Sequence, residues 1–149
     1  MTETILKMQK KVKRYLDKDR YDHTIGVMHT AGCLAMRYGA NLEQALTAGL
    51  LHDCAKCVPA DEKIKLCEKN HIEISDAEYK NPGLLHAKLG AFFARKKYGI
   101  ENEEILRSIE SHTTGRPNMS LLDKIIYIAD YIEPGRDVAP NLPEVRALA

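Results

Sequence analysis

The chain has 149 residues, room for one compact domain and for no second domain of ordinary size. Lys and Arg total 22 against 21 Asp and Glu, and the net charge of +1 excludes a general pull toward nucleic acid or an anionic membrane, leaving only local basic sites. The longest unbroken apolar run, Ile125 to Ala129, is five residues against the roughly 20 that span a bilayer, and no signal-peptide segment follows Met1, so a soluble cytoplasmic protein is expected.

Two Phe, no Trp, abundant Leu, Ile and Ala and almost no strand-like alternation predict an all-α fold of helices packed on helices. Four cysteines, three of them within fourteen residues, read as reduced thiols in a chain large enough to have its own core. Thr2 to Leu16 is a first helix with Ile5, Met8, Val12 and Leu16 on one stripe. Its other face is basic, since the first twenty residues hold seven Lys or Arg against three acids, the pattern of a solvated helix face. A second helix is expected from Asp19, as its cap, to Tyr38, ended by Gly39. A third, capped by Asn41, stops near His52 or Asp53. Pro59 then opens a short charged helix over Ala60 to Asn70 that offers only Ile64, Leu66 and Cys67 for burial. His71 to Gly83 reads mostly as loop with one turn of helix. Leu84 to Tyr98 is the fifth helix, stopped by Gly99, and Asn102 to His112 the sixth. After a loop over Thr113 to Asn118, Ser120 caps a last strong helix to about Glu133, closed by Pro134 and Gly135, which makes a bundle of about six to seven helices. Pro143, Glu144, Val145 and Leu148 have the spacing of the opening turns of one more helix, whose capped end the chain does not reach.

Polar residues on the buried faces carry most of the functional signal. His23 lies on the face of Val27, Thr30 and Leu34; His112 continues Ile105 and Ile109; Asp130 continues Leu122 and Ile126. His86 shares a face with Leu89, Gly90 and Phe93, and His52-Asp53 closes a helix that is otherwise apolar. A carboxylate is rarely buried alone because its desolvation is costly, and Asp53 also meets the partial negative charge of a helix C-terminus. A bound cation resolves both problems, and imidazole and carboxylate are common ligands of first-row divalent metals. A single inward His is explained as well by a bond to a backbone carbonyl. Six inward residues point instead to a metal centre of His23, His52, Asp53, His86, His112 and Asp130.

The order His23, His52-Asp53, Asp130 resembles the HD superfamily of metal-dependent phosphohydrolases, and the added His86 and His112 resemble the subset that holds two metals. Four segments are similar to the bacterial YqeK family: Tyr21-Asp22-His23, Leu50-Leu51-His52-Asp53-Cys54-Ala55-Lys56, His112-Thr113-Thr114-Gly115-Arg116 and Ala129-Asp130-Tyr131-Ile132-Glu133-Pro134-Gly135-Arg136. Members of that family are symmetrical bis(5'-nucleosyl)-tetraphosphatases, which split diadenosine tetraphosphate into two ADP at an iron-containing site. The resemblance runs from about Tyr15 to Arg136. It implies an HD-domain helical bundle over the whole chain, a small-molecule nucleotide as partner, and no role for nucleic acid or membrane. It also implies that His23, His52, Asp53 and Asp130 are the main ligands, that His86 and His112 hold a second ion, and that Asp53 bridges the two. Iron, at two ions per chain, follows from the resemblance; the ligand types by themselves accept manganese, cobalt or zinc equally. Proteins of this family continue into further C-terminal helix, so the last helix here is expected to be incomplete.

Transfer of a phosphoryl group spreads negative charge over its oxygens, so cations are expected beside the metal. Lys56, three residues after Asp53, is placed to be a catalytic one, although a solvated lysine at a helix end reads the same way. The hydroxyls and amides of Thr113, Thr114 and Gly115, with the fork of Arg116, are candidate phosphate contacts, and turn chemistry explains them equally well. Glu133 and Arg136 are candidate nucleoside contacts or plain surface charges. Asp123, seven residues before Asp130, shares its face or complements the helix dipole. Three rival readings stand beside this one. Cys54-x2-Cys57 with Cys67-x3-His71 has the ligand types of a structural zinc site. A non-enzymatic helical interaction module would use the metal only to hold its bundle together. Another nucleotide phosphohydrolase, such as a nucleotidase or a cyclic-nucleotide phosphodiesterase, would share the ligands and differ in product. His29, about a third of a turn away from His23, is read as a surface or core-edge residue.

Overall fold

Residues 2–149 are described by a computed structural model, and among them every regular element is helical. The first helix, α1 (Glu3–Val12), buries Ile5, Met8 and Val12 as its stripe requires. It ends four residues before expected, and α2 (Lys18–Tyr38) starts on Asp17 instead of Asp19. Both corrections have one cause. The Asp17 carboxylate accepts the Arg20 amide at 2.8 Å, and that cap needs an extended backbone at Asp17, with ψ 169°, so the chain must leave the helix earlier. It does so through tight turns at Arg14 and Tyr15, and Leu16 reaches the core from outside the helix.

The helix α3 (Leu42–Leu51) is capped by Asn41, and α4 (Ala60–Lys69) follows Pro59, both as the sequence predicts. Burial on α4 differs in one residue: Lys63 is 5% exposed, its ammonium donating to the Lys56 carbonyl at 3.1 Å. The stretch after it is more ordered than a loop. A capping box between Ser75 and Glu78 starts α5 (Asp76–Lys80), and Pro82–Leu85 forms a 3-10 turn, so α6 (His86–Tyr98) begins at His86 instead of Leu84. Then come α7 (Glu103–Ser111), capped by Asn102, and α8 (Leu121–Ile132), capped by Ser120 with Asp123 closing the box. The opening turns expected near Pro143 are α9 (Leu142–Leu148). Arg146 on α9 donates to the carbonyls of Ile132, Glu133 and Arg136 at 2.9 to 3.1 Å, and so ties α9 to the end of α8.

The longest helix, α2, lies along α3 and α8, while α7 packs on α3, α6 and α8. Val27, Met28 and Ala31 of α2, Ala48 and Leu51 of α3 and Ile126 of α8 are fully buried members of one apolar cluster. A smaller cluster under α4 holds Cys54, Cys67, Leu85, Leu89 and Phe93. The α2–α3 crossing depends on Gly49, where an added Cβ would lie 2.9 Å from the Met28 Cα, a backbone atom with no freedom to move aside. Gly49→Ala is therefore expected to destabilise the fold by about 1–3 kcal/mol, the range for overpacking a tight interior. A thermal melt followed by circular dichroism checks this, and an unchanged midpoint would remove the close approach from the account. This crossing also aims the C-terminal end of α3, and hence His52 and Asp53, at the start of α2.

Candidate metal centre

The six polar residues singled out in the sequence come from five helices and meet at one place. His23 is in the second turn of α2, His52 is the C-cap of α3 and Asp53 follows it; His86 opens α6, His112 is the C-cap of α7, and Asp130 is near the end of α8. His52, Asp53, His86 and His112 are at most 2% exposed.

Three of the four imidazoles are aimed by one local device. His52 Nδ1 donates to the Gly49 carbonyl at 2.7 Å, His86 Nδ1 to Gly83 at 2.6 Å and His112 Nδ1 to Ile109 at 2.6 Å, each three residues back. A carbonyl oxygen has two lone pairs, so the Gly83 and Ile109 oxygens accept the ring N–H as well as the backbone amide of the same histidine. A carbonyl accepts only, so Nδ1 carries the proton and Nε2 presents a bare lone pair. His23 is aimed differently, with its Nδ1 3.0 Å from Glu133 Oε1, and a carboxylate fixes the same tautomer. His86 Nε2 and His112 Nε2 thus face each other 3.1 Å apart without a proton between them, a repulsive arrangement unless a cation is near both.

The carboxylates complete the donor set. Asp53 directs Oδ1 at His86 Nε2, 3.2 Å away, and at His112 Nε2, 3.6 Å away. Its Oδ2 lies 3.5 Å from His52 Nε2 and 3.9 Å from His23 Nε2. Asp130 Oδ1 is 3.1 Å from His23 Nε2 and 3.9 Å from His52 Nε2. Two sets of ligand atoms lie close enough to share an ion: His23, His52 and Asp130, and His52, Asp53 and His112. His23 Nε2, His52 Nε2 and Asp53 Oδ1 are buried without a hydrogen bond. Orphaned nitrogen and oxygen acceptors of this kind fit a divalent cation.

The titration of the cluster agrees. Burial pushes the Asp53 carboxyl up, but the charge of His52 and the imidazoles crowded around it outweigh burial and hold Asp53 well below the usual carboxylate range. Burial also opposes ionisation of Asp130, and the His23 imidazole beside it with the charge of His52 lowers it in turn. His112 is pushed down by burial, which favours the neutral imidazole, the form able to bind a metal. His52 is pushed up: burial disfavours its charge, and Asp53 with Asp130 favours it more. A metal ion would satisfy the same two anions that the proton on His52 otherwise satisfies.

Around this centre lie three cations. Arg136 Nη2 reaches Asp130 Oδ1 at 3.1 Å while its Nε donates to the Asp130 carbonyl, and Lys56 Nζ is 3.4 Å from His86 Nε2. The third is Arg20, whose Nη1 lies 2.9 Å from Asp53 Oδ2. Sequence reasoning missed Arg20 because its partner is 33 residues away, in the turn after α3. Glu133, read as a nucleoside contact or a plain surface charge, is no surface charge: it is 3% exposed and lines the cleft beside His23. Glu133 accepts from His23 and, through Oε2, from the Gly135 amide at 2.7 Å. Gly26 makes room for it, since a Cβ there would lie 2.4 Å from Glu133 Oε2. The structure does not bring Arg116 to the centre. Its guanidinium is tied to the fully buried Asp123 at 2.6 Å, and with Thr114 and Gly115 it lines a separate cleft of about 360 Å3 to which none of the six clustered residues contributes. Thr113 is half-buried and adjoins His112, and His29 is exposed as expected.

Neither candidate metal set contains a cysteine. Cys54 and Cys67 are buried in the apolar cluster under α4, and Cys33 and Cys57 are exposed. Burial pushes the Cys54 thiol up to about 12, which makes it inert. Iodoacetamide at pH 8 is expected to modify Cys33 and Cys57 on the folded chain, to spare Cys54 and Cys67, and to leave bound metal in place. Loss of metal on alkylation would restore the zinc reading.

An all-helical bundle with His, His-Asp and Asp on its inward faces defines a hydrolase centre built to hold divalent metal. The HD domain model matches residues 20–135. The chain is 47% identical over 138 residues to the symmetrical bis(5'-nucleosyl)-tetraphosphatase of Halalkalibacterium halodurans and 44% identical over 138 residues to that of Bacillus subtilis. Each match covers 93% of this chain and 73% of the relative. A crystal structure of a predicted HD superfamily hydrolase involved in NAD metabolism from Clostridium acetobutylicum superposes with a TM-score of 0.90 at 48% identity, covering 95% of this chain and 74% of that one. The chain belongs to the HD-domain family of hydrolases, and its all-α fold is the one its motifs imply.

Proposed function

We propose that the protein hydrolyses dinucleoside tetraphosphates at their centre, converting diadenosine tetraphosphate and one water into two ADP. The two tetraphosphatase relatives support this reading, and one observation on this chain carries it independently. Around the six ligands, the carboxylates of Asp53, Asp130 and Glu133 are matched in number by the cations Arg20, Lys56 and Arg136. With the imidazoles neutral, the full charge of any bound divalent ion is left over. A metal that only holds a bundle together is neutralised by its own ligands, whereas a surplus of positive charge calls for an anionic substrate. A polyphosphate is such a substrate.

The metal ligands in this reading are His23, His52, Asp53, His86, His112 and Asp130, with two ions per chain and iron as the metal. Asp53 supports the count of two, because one of its oxygens faces each pair of imidazoles. Divalent ions held there supply Lewis acidity at the phosphoryl oxygens and acidify water enough for hydrolysis at neutral pH. Lys56 stands on the His86 side and Arg136 on the Asp130 side, so the bridge of phosphates meets a positive charge on either side of the reacting phosphorus. One P–O bond forms to the water oxygen, the central P–O bond breaks, and the departing phosphate takes the proton it lacks from the water. Thr113, beside His112, is a further candidate phosphate contact. No helix among the described residues is long and apolar enough to cross a membrane. A nucleotide substrate and free thiols suit the reducing cytoplasm, where we place the reaction.

Chromatography of an early time point on diadenosine tetraphosphate tests the reading. ADP as the sole nucleotide product is expected. AMP and ATP in equal amounts would overturn central cleavage, and hydrolysis of a nucleoside monophosphate or a cyclic nucleotide in its place would favour the nucleotidase or phosphodiesterase alternative.

A further inference from the structure

Lys63 sits with Cys67 on the buried face of α4, a place that an apolar side chain would fill at less cost, because lysine is almost never buried without a partner. Its ammonium makes one hydrogen bond among the described residues, to the Lys56 carbonyl oxygen 3.1 Å away. That acceptor belongs to an unusual stretch of chain. Between α3 and α4 the backbone runs through successive tight turns, in which the Cys54, Lys56 and Val58 amides donate to the Leu51, Asp53 and Ala55 carbonyls at 2.9 to 3.3 Å. No backbone amide among the described residues reaches the Lys56 carbonyl, which accepts from Lys63 instead. The same turns carry Asp53, and the Lys56 side chain leaves them to end with its Nζ 3.4 Å from His86 Nε2. Burial and the charge of Lys56 push the Lys63 ammonium down while the Asp53 carboxylate opposes them, so Lys63 stands within electrostatic reach of both.

We infer that Lys63 is a positioning residue for the reaction: by holding the Lys56 carbonyl from below, it fixes the turn from which the Lys56 side chain reaches the His86 side of the centre. Its part in the reaction rests on the proposed function, in which Lys56 faces the phosphates. A flexible lysine stabilises a transition state only if its backbone is held where the charge develops, and a short turn with one open carbonyl has no other tie to α4 at that residue. A plain structural tie between α4 and the turn would cost stability alone. A positioning role costs rate, and does so through Lys56.

The test uses the metal-loaded protein with Lys63→Met, which keeps an unbranched side chain in the same space, together with Lys56→Met and the double variant. Steady-state kinetics on diadenosine tetraphosphate and amide hydrogen exchange at Lys56 and Val58 are the readouts. Misplacement of a group that acts in the transition state predicts that Lys63→Met lowers kcat by about tenfold or more, with KM within about threefold of the parent and metal content unchanged. In the Lys56→Met background the same substitution should change kcat by less than about twofold, since both act through one side chain. Exchange at the two amides should rise by about tenfold in Lys63→Met. An equal fall in kcat in both backgrounds, a loss of metal, or an unchanged kcat would each overturn the role of Lys63. A Lys56→Met variant as active as the parent would take Lys56 out of the mechanism, and Lys63 with it. Should the parent fail to cleave diadenosine tetraphosphate, the substrate assignment would fall, and hydrogen exchange would still decide the contact: faster exchange in Lys63→Met upholds the hold on the turn, and unchanged exchange overturns it.

Discussion

Asp53→Asn is expected to leave the chain folded, to strip the metal from the centre and to lower hydrolysis of diadenosine tetraphosphate by about a thousandfold or more. The magnitude is that of losing the electrostatic stabilisation of a phosphoryl transition state together with the acidified water. The reason is specific to this carboxylate. Each Asp53 oxygen faces a different pair of imidazoles, Oδ1 toward His86 and His112 and Oδ2 toward His52 and His23, so one substitution reaches both halves of the donor set. An asparagine keeps the shape and removes the charge. His86→Ala touches only one half, and is expected to lose one ion while the other remains. Metal content by plasma mass spectrometry, with circular dichroism to confirm the fold, checks both variants. Metal retained at the parental level in Asp53→Asn would show that this carboxylate is no ligand.

The second large effect concerns Glu133, whose carboxylate orients His23. Glu133→Gln replaces an acceptor at both oxygens by one acceptor and one donor. If the new NH2 faces the Gly135 amide, two donors collide; if it faces His23, the imidazole must accept at Nδ1 and carry its proton on Nε2, where the lone pair for the metal belongs. Either outcome disturbs the ligand, and loss of such an orienting partner costs about 10–100-fold in metal affinity. Gly26→Ala should reproduce the defect from the other side, because its Cβ would occupy the space of Glu133 Oε2. Since both changes act through one contact, the double variant should be little worse than Glu133→Gln alone. Metal titrations of the three variants check this. Full affinity in Glu133→Gln would leave His23 oriented by something else.

The sequence was most legible where a residue breaks a pattern. A histidine or aspartate on an apolar stripe is conspicuous, and His23, His86, His112 and Asp130 were read from their helix faces alone. His52-Asp53 was conspicuous at the end of the apolar α3. Pairings between elements were not legible. Arg20 looks like one more base on a solvated face until α3 places Asp53 beside it. Glu133 looks like a surface charge beside Pro134 and Gly135, and only the turn after α8 carries it inward to His23. Arg116 looks like a free guanidinium in a glycine-containing loop, and only the fold pairs it with Asp123. Asp19 reads as the cap of the second helix, and only the extended backbone at Asp17 puts the cap two residues earlier. The one signal present and passed over was local: Ser75-x-x-Glu78 has the pattern of a capping box and marks α5.

The central claim is that six residues from five helices form one centre for two divalent ions, with Asp53 between them. Metal content per chain, measured by plasma mass spectrometry on protein purified without chelator, tests it most directly. Two ions per chain in the parent, falling to one in His86→Ala, is the result this account predicts; a parent holding a single ion, or a His86→Ala chain that still holds two, would contradict it.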